Sequence, residues 1–96
     1  MSIELDIVNN EKVHRFQAEI DGRLAVISYK LDGDVITFEH TIVPYTMKGQ
    51  GIAGQMAHYV LEYARTQGLK VVPQCPFVAA YMKKHPEYDD LLASID

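Results

Sequence analysis

Apolar and polar residues alternate through the first half of this chain and switch to a helical period after Pro44. Ile3, Leu5 and Ile7 are separated by Glu4 and Asp6, which predicts a short strand ending in a turn at Asn9-Asn10. Phe16, Ala18 and Ile20 then alternate with Arg15, Gln17 and Glu19, and Asp21-Gly22 follows as a two-residue hairpin signal. A return strand is expected over residues 24–31, a second turn at Asp32-Gly33-Asp34, and a longer, more β-branched strand over 35–43. Together these predict an antiparallel meander of three or four strands.

Beyond Pro44 the apolar spacing becomes helical. Over residues 51–67, Ile52, Met56, Tyr59, Val60 and Tyr63 fall on one face, with Ala53, Ala57 and Ala64 beside it. Gly68 sits where a C′ glycine would end that helix. Residues 69–72 read as a strand bounded by Pro73. Pro76 suits the first position of a helix over about 77–84, and Pro86-Glu87 opens a last short one. The order is β-β-β-β-α-β-α. Two strands joined by one helix form a right-handed crossover and lie parallel. The fold class is therefore α+β: an antiparallel β meander plus one parallel β-α-β crossover, with C-terminal helices packed on the sheet. Residues 1–96 are expected to form a single domain. Ligands in such a crossover bind outside the carboxyl ends of its strands, where residues 44–54 and 73–77 converge.

Composition narrows the partners. Thirteen acidic against nine basic residues give a net charge of −4, and no basic cluster exceeds Lys83-Lys84. A binder of nucleic-acid backbone would need a basic face, so nucleic acid is excluded as a partner. One cysteine excludes an intramolecular disulfide framework and a multi-cysteine zinc site. The apolar runs are too short for a membrane span, and the first residues lack the basic and apolar regions of a signal peptide. The expectation is a soluble, monomeric cytoplasmic domain.

Gly49-Gln50-Gly51-Ile52-Ala53-Gly54 fits the dinucleotide pattern G-x-G-x-x-G letter for letter. Its context does not fit. Five residues separate Val43 from Gly49, and Gln74-Cys75 stand where the ribose-binding acid belongs. A strand feeding a glycine-rich loop that opens a helix still presents free N–H groups to an anion at the positive end of the helix dipole. The alternative is that Gly49 and Gly51 only shape a tight loop, with Gly54 packing helix on strand.

Lys48-Gly49-Gln50-Gly51-Ile52-Ala53 resembles the [Q/R]-x-x-G-x-[G/A] acetyl-CoA motif of the GNAT N-acetyltransferases. His40-Thr41-x-Val43-Pro44, Cys75-Pro76-Phe77-Val78 and Lys84-His85-Pro86-Glu87-Tyr88 are similar to a compact subgroup of about this size. The resemblance is specific over residues 38–88. It implies a minimal GNAT fold and acetyl transfer from acetyl-CoA to an amine acceptor, either directly or through a cysteine relay. It further implies that the backbone of Lys48, Gly49, Gln50, Gly51, Ile52, Ala53 and Gly54 cradles the CoA pyrophosphate. Ile42 and Val43 would pair with the pantetheine arm, and Tyr81 would protonate the departing thiolate. The chain departs from the family in three ways. Lys48 stands for the usual Arg or Gln, the two helices that build the acceptor pocket are missing, and so is the closing hairpin. A non-catalytic acyl-CoA-binding or partner-binding module is therefore the competing reading.

Acetyl transfer needs a base for the amine and an acid for the thiolate. Cys75 lies at or beside the N-cap of the helix begun by Pro76, where the dipole favours a thiolate that could accept the acetyl group. The alternative is a small buried residue. His40 is expected on the strand face of Ile36, Phe38 and Ile42, as general base or as a core histidine. Glu39, on the opposite face, is the competing base. His58 is expected in solvent, and no metal site is expected.

Overall fold

The computed structural model describes residues 5–44 and 51–93. Four antiparallel strands follow one another: β1 (Ile7–Asn10), β2 (Arg15–Ile20), β3 (Arg23–Asp32) and β4 (Val35–Ile42). The helix α1 (Ile52–Thr66) crosses to β5 (Lys70–Pro73), which pairs parallel with β4. The helix α2 (Pro76–Lys84) and a short 3-10 helix (Pro86–Leu91) complete the chain. The sheet order is β1-β2-β3-β4-β5, so the expected α+β meander with one parallel crossover is the observed architecture.

Local chemistry explains most boundaries. Asp21 and Gly22 both take positive φ (53° and 77°), which matches the twist of the hairpin between β2 and β3. Gly68 takes φ 70° and ends α1, its N–H bonded to the Arg65 carbonyl at 3.2 Å. Asn9 and Asn10, expected in a turn, lie inside β1 instead. Asn9 Oδ1 accepts the Tyr29 hydroxyl at 2.8 Å, and Asn10 Nδ2 donates to Gln17 at 3.3 Å. Cross-strand partners satisfy both amides, and the chain reverses over the next four residues.

The core lies on one face of the sheet. Phe16, Ala25, Ile27, Tyr29, Ile36, Phe38 and Val71 pack against Ile52, Met56, Val60, Leu61 and Ala64 of α1. Val78 and Met82 of α2, with Tyr88 and Leu91 of the 3-10 helix, join the same cluster. The buried stripe of α1 is rotated from the one expected. Leu61 is in it, while Tyr59 is exposed, its ring placed edge-on to Phe16. Along the other sheet face Leu24 and Ile42 are exposed, and Val26, Ser28, Thr37 and Val72 are half-buried. Among the described residues no helix covers that face.

Candidate active site

The two parallel strands part company. β4 and β5 pair from Val35↔Lys70 to Phe38↔Pro73 and no further. Pro73 has no N–H to extend the ladder. Gln74 turns its N–H back to the Val72 carbonyl at 3.0 Å, and the Cys75 N–H takes the Phe38 carbonyl at 2.8 Å. On the other strand Glu39 is the extra residue of a β-bulge: His40 faces Ser28, but Phe38 faces Tyr29. β4 stays paired with β3 as far as Ile42↔Val26. Its opposite edge over residues 39–42 therefore has no ladder partner among the described residues.

The bulge also reverses the faces of the strand. Before it, Ile36 and Phe38 point into the core; after it, Thr41 does, opposite buried Ile27. His40 and Ile42 are consequently exposed on the uncovered face, Ile42 at 62%. The expected grouping of His40 with Ile36 and Phe38 is corrected by this single inserted residue. Glu39 is half-buried, with Lys30 Nζ 3.9 Å from its carboxylate. Val43 packs against the core cluster.

Cys75 caps α2, with no side-chain hydrogen bond to the helix. Its thiol is 2% exposed and lies 3.0 Å from Thr41 Oγ1. Thr41 and Cys75 thus close the floor of the parting strands from the helix side, while His40 stands on the other face. The structure does not bring Cys75 and His40 together.

The loop from β4 leads to the first turn of α1. Lys48, Gly49 and Gln50 lie outside the described residues. Gly51 is the N-cap of α1 with φ 75° and ψ 11°, a conformation that glycine adopts without strain. A Cβ there would meet no atom of the described residues within 4 Å. α1 has no side-chain cap and no acid in its first turn. The N–H groups of a first turn have no acceptor within the helix and carry the positive end of its dipole. Ile52 is buried and anchors this turn, while Ala53 and Gly54 are half-buried.

One turn further along, an open cavity of about 530 Å³ is lined by Gly54, Gln55, His58 and Tyr59 of α1. Tyr81, His85, Leu5 and Ile7 complete it. Tyr81 is half-buried, and burial, reinforced by Glu87 and Glu62, pushes its hydroxyl above the ordinary tyrosine range. The phenol therefore keeps its proton at neutral pH. His58 is exposed as expected, yet it is not simply solvated: its Nδ1 lies 3.0 Å from the Tyr88 hydroxyl. Tyr88 donates its one proton to Glu62 Oε2 at 2.6 Å. The phenol oxygen is left as an acceptor, so His58 must hold its proton on Nδ1. Thr41 and Tyr88 stand in the motifs that carry the resemblance, without a role of their own, and Glu62 was not singled out from the sequence. Only its i, i+4 spacing from His58 could have linked Glu62 to this group in advance.

Within an α+β fold, the site thus combines a strand that leaves its parallel neighbour with a helix start that no side chain caps. The family comparison agrees. A model of the GCN5-related N-acetyl-transferase domain matches residues 15–91. The chain belongs to that family. It is 27% identical over 85 residues to Protein NATD1 of Gallus gallus, covering 85% of this chain and 77% of the relative. With Protein NATD1 of Danio rerio it shares 26% over 93 residues, covering 92% and 84%. Among solved structures, the NMR solution structure of a GCN5-like protein from Staphylococcus aureus superposes with a TM-score of 0.74. The two are 29% identical, with 96% of this chain and 91% of that one covered.

Proposed function

We propose that this protein transfers an acetyl group from acetyl-CoA to an amine. The observation that carries the proposal is the parting of β4 from β5 after Phe38, together with the uncapped N-terminus of α1, the next described element along the chain. Bound acetyl-CoA supplies an activated thioester carbonyl with a thiolate leaving group. The N–H groups of Gly51, Ile52, Ala53 and Gly54 hold the pyrophosphate, together with the loop residues Lys48, Gly49 and Gln50. The free edge of β4 at Ile42, continued by Val43, offers the pantetheine amides a strand to pair with. His40, exposed beside that edge, takes the proton of the incoming amine. Tyr81 gives its proton to the thiolate as the carbon–sulfur bond breaks and the bonding pair passes to sulfur. Cys75 is shielded and occupied by Thr41, which favours direct attack by the amine over a relay through the thiol.

The competing reading is a binding module that keeps the groove without turnover. What favours it is the uncovered sheet face beside His40, which supplies no wall for a small acceptor. Thermal unfolding with acetyl-CoA, with NADH and ATP as controls, tests cofactor recognition. At a hundred times its Kd the ligand should stabilise by about 2.7 kcal/mol. For a domain of this size that raises Tm by roughly 10 °C or more. A rise with acetyl-CoA alone, followed by thiol release when amines are added, supports the enzyme. The same rise with no thiol released supports the module, and no rise removes both readings.

A further inference from the structure

The proposed reaction assigns no task to the motif Lys84-His85-Pro86-Glu87-Tyr88. We propose that His85 is a positioning residue that holds the ring of Tyr81 in place while leaving its hydroxyl free for the cofactor sulfur. This inference rests on the proposed role of Tyr81 as proton donor.

Residues 81 and 85 are four apart, one turn along the end of α2, so their side chains lie one above the other. Their rings stack at 4.1 Å between centroids and 23° between planes. No other described ring pair approaches so closely; the nearest, Phe16 with Tyr63, stands edge-on at 5.0 Å. His85 is itself fixed on three sides. Its N–H donates to the Met82 carbonyl at 3.1 Å, and its carbonyl accepts the Tyr88 N–H at 3.0 Å. Its Nδ1 lies 3.6 Å from Glu87 Oε2. Pro86 disfavours the helical region for the residue before it, and His85 stands outside that region at φ −130° and ψ 76°. The stack is thus a rigid shelf built where one helix ends and the next begins.

The hydroxyls of Tyr59, Tyr63 and Tyr81 have no hydrogen-bond partner among the described residues, and of the three only Tyr81 both lines the cavity and stacks on a histidine. Tyr29 gives its proton to Asn9, and Tyr88 gives its proton to Glu62. Among the described residues nothing hydrogen-bonds the Tyr81 hydroxyl, although its ring lines the cavity. A ring held by stacking and by packing against the core has a fixed orientation and an unspent donor. A donor aimed at sulfur before the ligand arrives requires no reordering when it acts.

The experiment uses the full chain with CoA itself, whose thiol needs no acceptor. The ultraviolet absorbance of the thiolate, taken as the difference between saturating CoA and desulfo-CoA, reports the pH at which the bound thiol ionises. Tyr81→Phe should raise that pH by about one unit, the loss of a hydrogen bond to the charged form. His85→Ala should raise it nearly as far, while the CoA Kd changes less than about threefold, well under one decade of affinity. His85→Phe, which keeps a stacking ring, should restore the original value. The double variant Tyr81→Phe/His85→Ala should be no worse than Tyr81→Phe alone. Failure of CoA to bind would overturn the cofactor reading itself. Binding with no effect of Tyr81→Phe would remove Tyr81 from the sulfur and the inference with it. An effect of Tyr81→Phe without one of His85→Ala, or no rescue by phenylalanine, would overturn the positioning role alone.

Discussion

The two halves of β4 are covalently continuous and only four residues each, yet they behave as different materials. From Val35 to Phe38 the strand is paired on both edges, and Ile36 and Phe38 are wholly buried. From Glu39 to Ile42 it is paired on one edge, its register is shifted by a residue, and His40 and Ile42 face outward. The first half fills the core with side chains. The second leaves one backbone edge without a ladder partner among the described residues and turns His40 outward. The change costs one inserted residue on β4 and one proline on β5, both at the level where α2 begins. A site built this way stands on a rigid sheet without disturbing the packing below it.

The largest effect expected from this contrast is on stability. Phe38→Ala removes a ring from the centre of the packed half and should cost about 3–5 kcal/mol. That corresponds to a fall in Tm of at least roughly 12 °C for a domain of this size. Ile42→Ala, four residues on, should stay within about 0.5 kcal/mol, as exposed substitutions do. Similar melting curves for the two variants would show that the halves do not differ in kind.

Deleting Glu39 attacks the contrast directly. With that residue gone β4 matches β3 one for one, and the alternation set by Ile36 and Phe38 leaves His40 and Ile42 outward and Thr41 inward, as they stand with the bulge. The faces are kept, and what is removed is the local bend and added twist of the bulged strand. The variant should therefore melt close to wild type, well above Phe38→Ala, while the rise of Tm with acetyl-CoA should shrink. A deletion variant that still responds fully to the cofactor would show that the bulge has no part in the site.

The bulge also marks how far the sequence could be read. Strand alternation, the Asp21-Gly22 hairpin, the helical period after Pro44 and the capping residues Gly68 and Pro76 are all local signals, and each lies where it was expected, although packing rotates the buried stripe of α1 toward Leu61. Glu39 carries no such signal. Val35 to Val43 alternates without a break, and nothing in the letters says which residue will be left over when β4 is matched against β3. The side of His40 was therefore misassigned by a question of pairing, not of propensity. The Asn9-Asn10 turn failed for a similar reason: local preference lost to amide partners on other strands. Gly51 was legible because its backbone conformation is local. The chain of Glu62, Tyr88 and His58 was not, since it joins two helices through a tertiary contact.

That chain sets the smallest of the effects, one that sharpens the contrast by probing the closed layer of the molecule far from the strand edge. Tyr88→Phe keeps the ring in the core and removes the hydroxyl that Glu62 and His58 share, at a cost of about 1 kcal/mol near neutral pH. Burial, the hydrogen bond to Glu62 and its negative charge push the Tyr88 hydroxyl far above the ordinary tyrosine value. The folded protein therefore holds this proton at pH values where the unfolded chain has released it. Stability from a group whose folded value is raised is fully present below the unfolded value, near pH 10, and falls as pH rises beyond it. Wild type should lose stability there, whereas Tyr88→Phe has no phenol to ionise at this position. The gap between the two, followed by chemical denaturation from pH 7 to 11, should narrow above pH ~10 and then change sign. Tyr29 and Tyr81 contribute to both proteins alike and drop out of the difference. A gap that stays constant with pH would mean that Tyr88 is open to solvent in the folded state and that the 3-10 helix does not seal the core against α1.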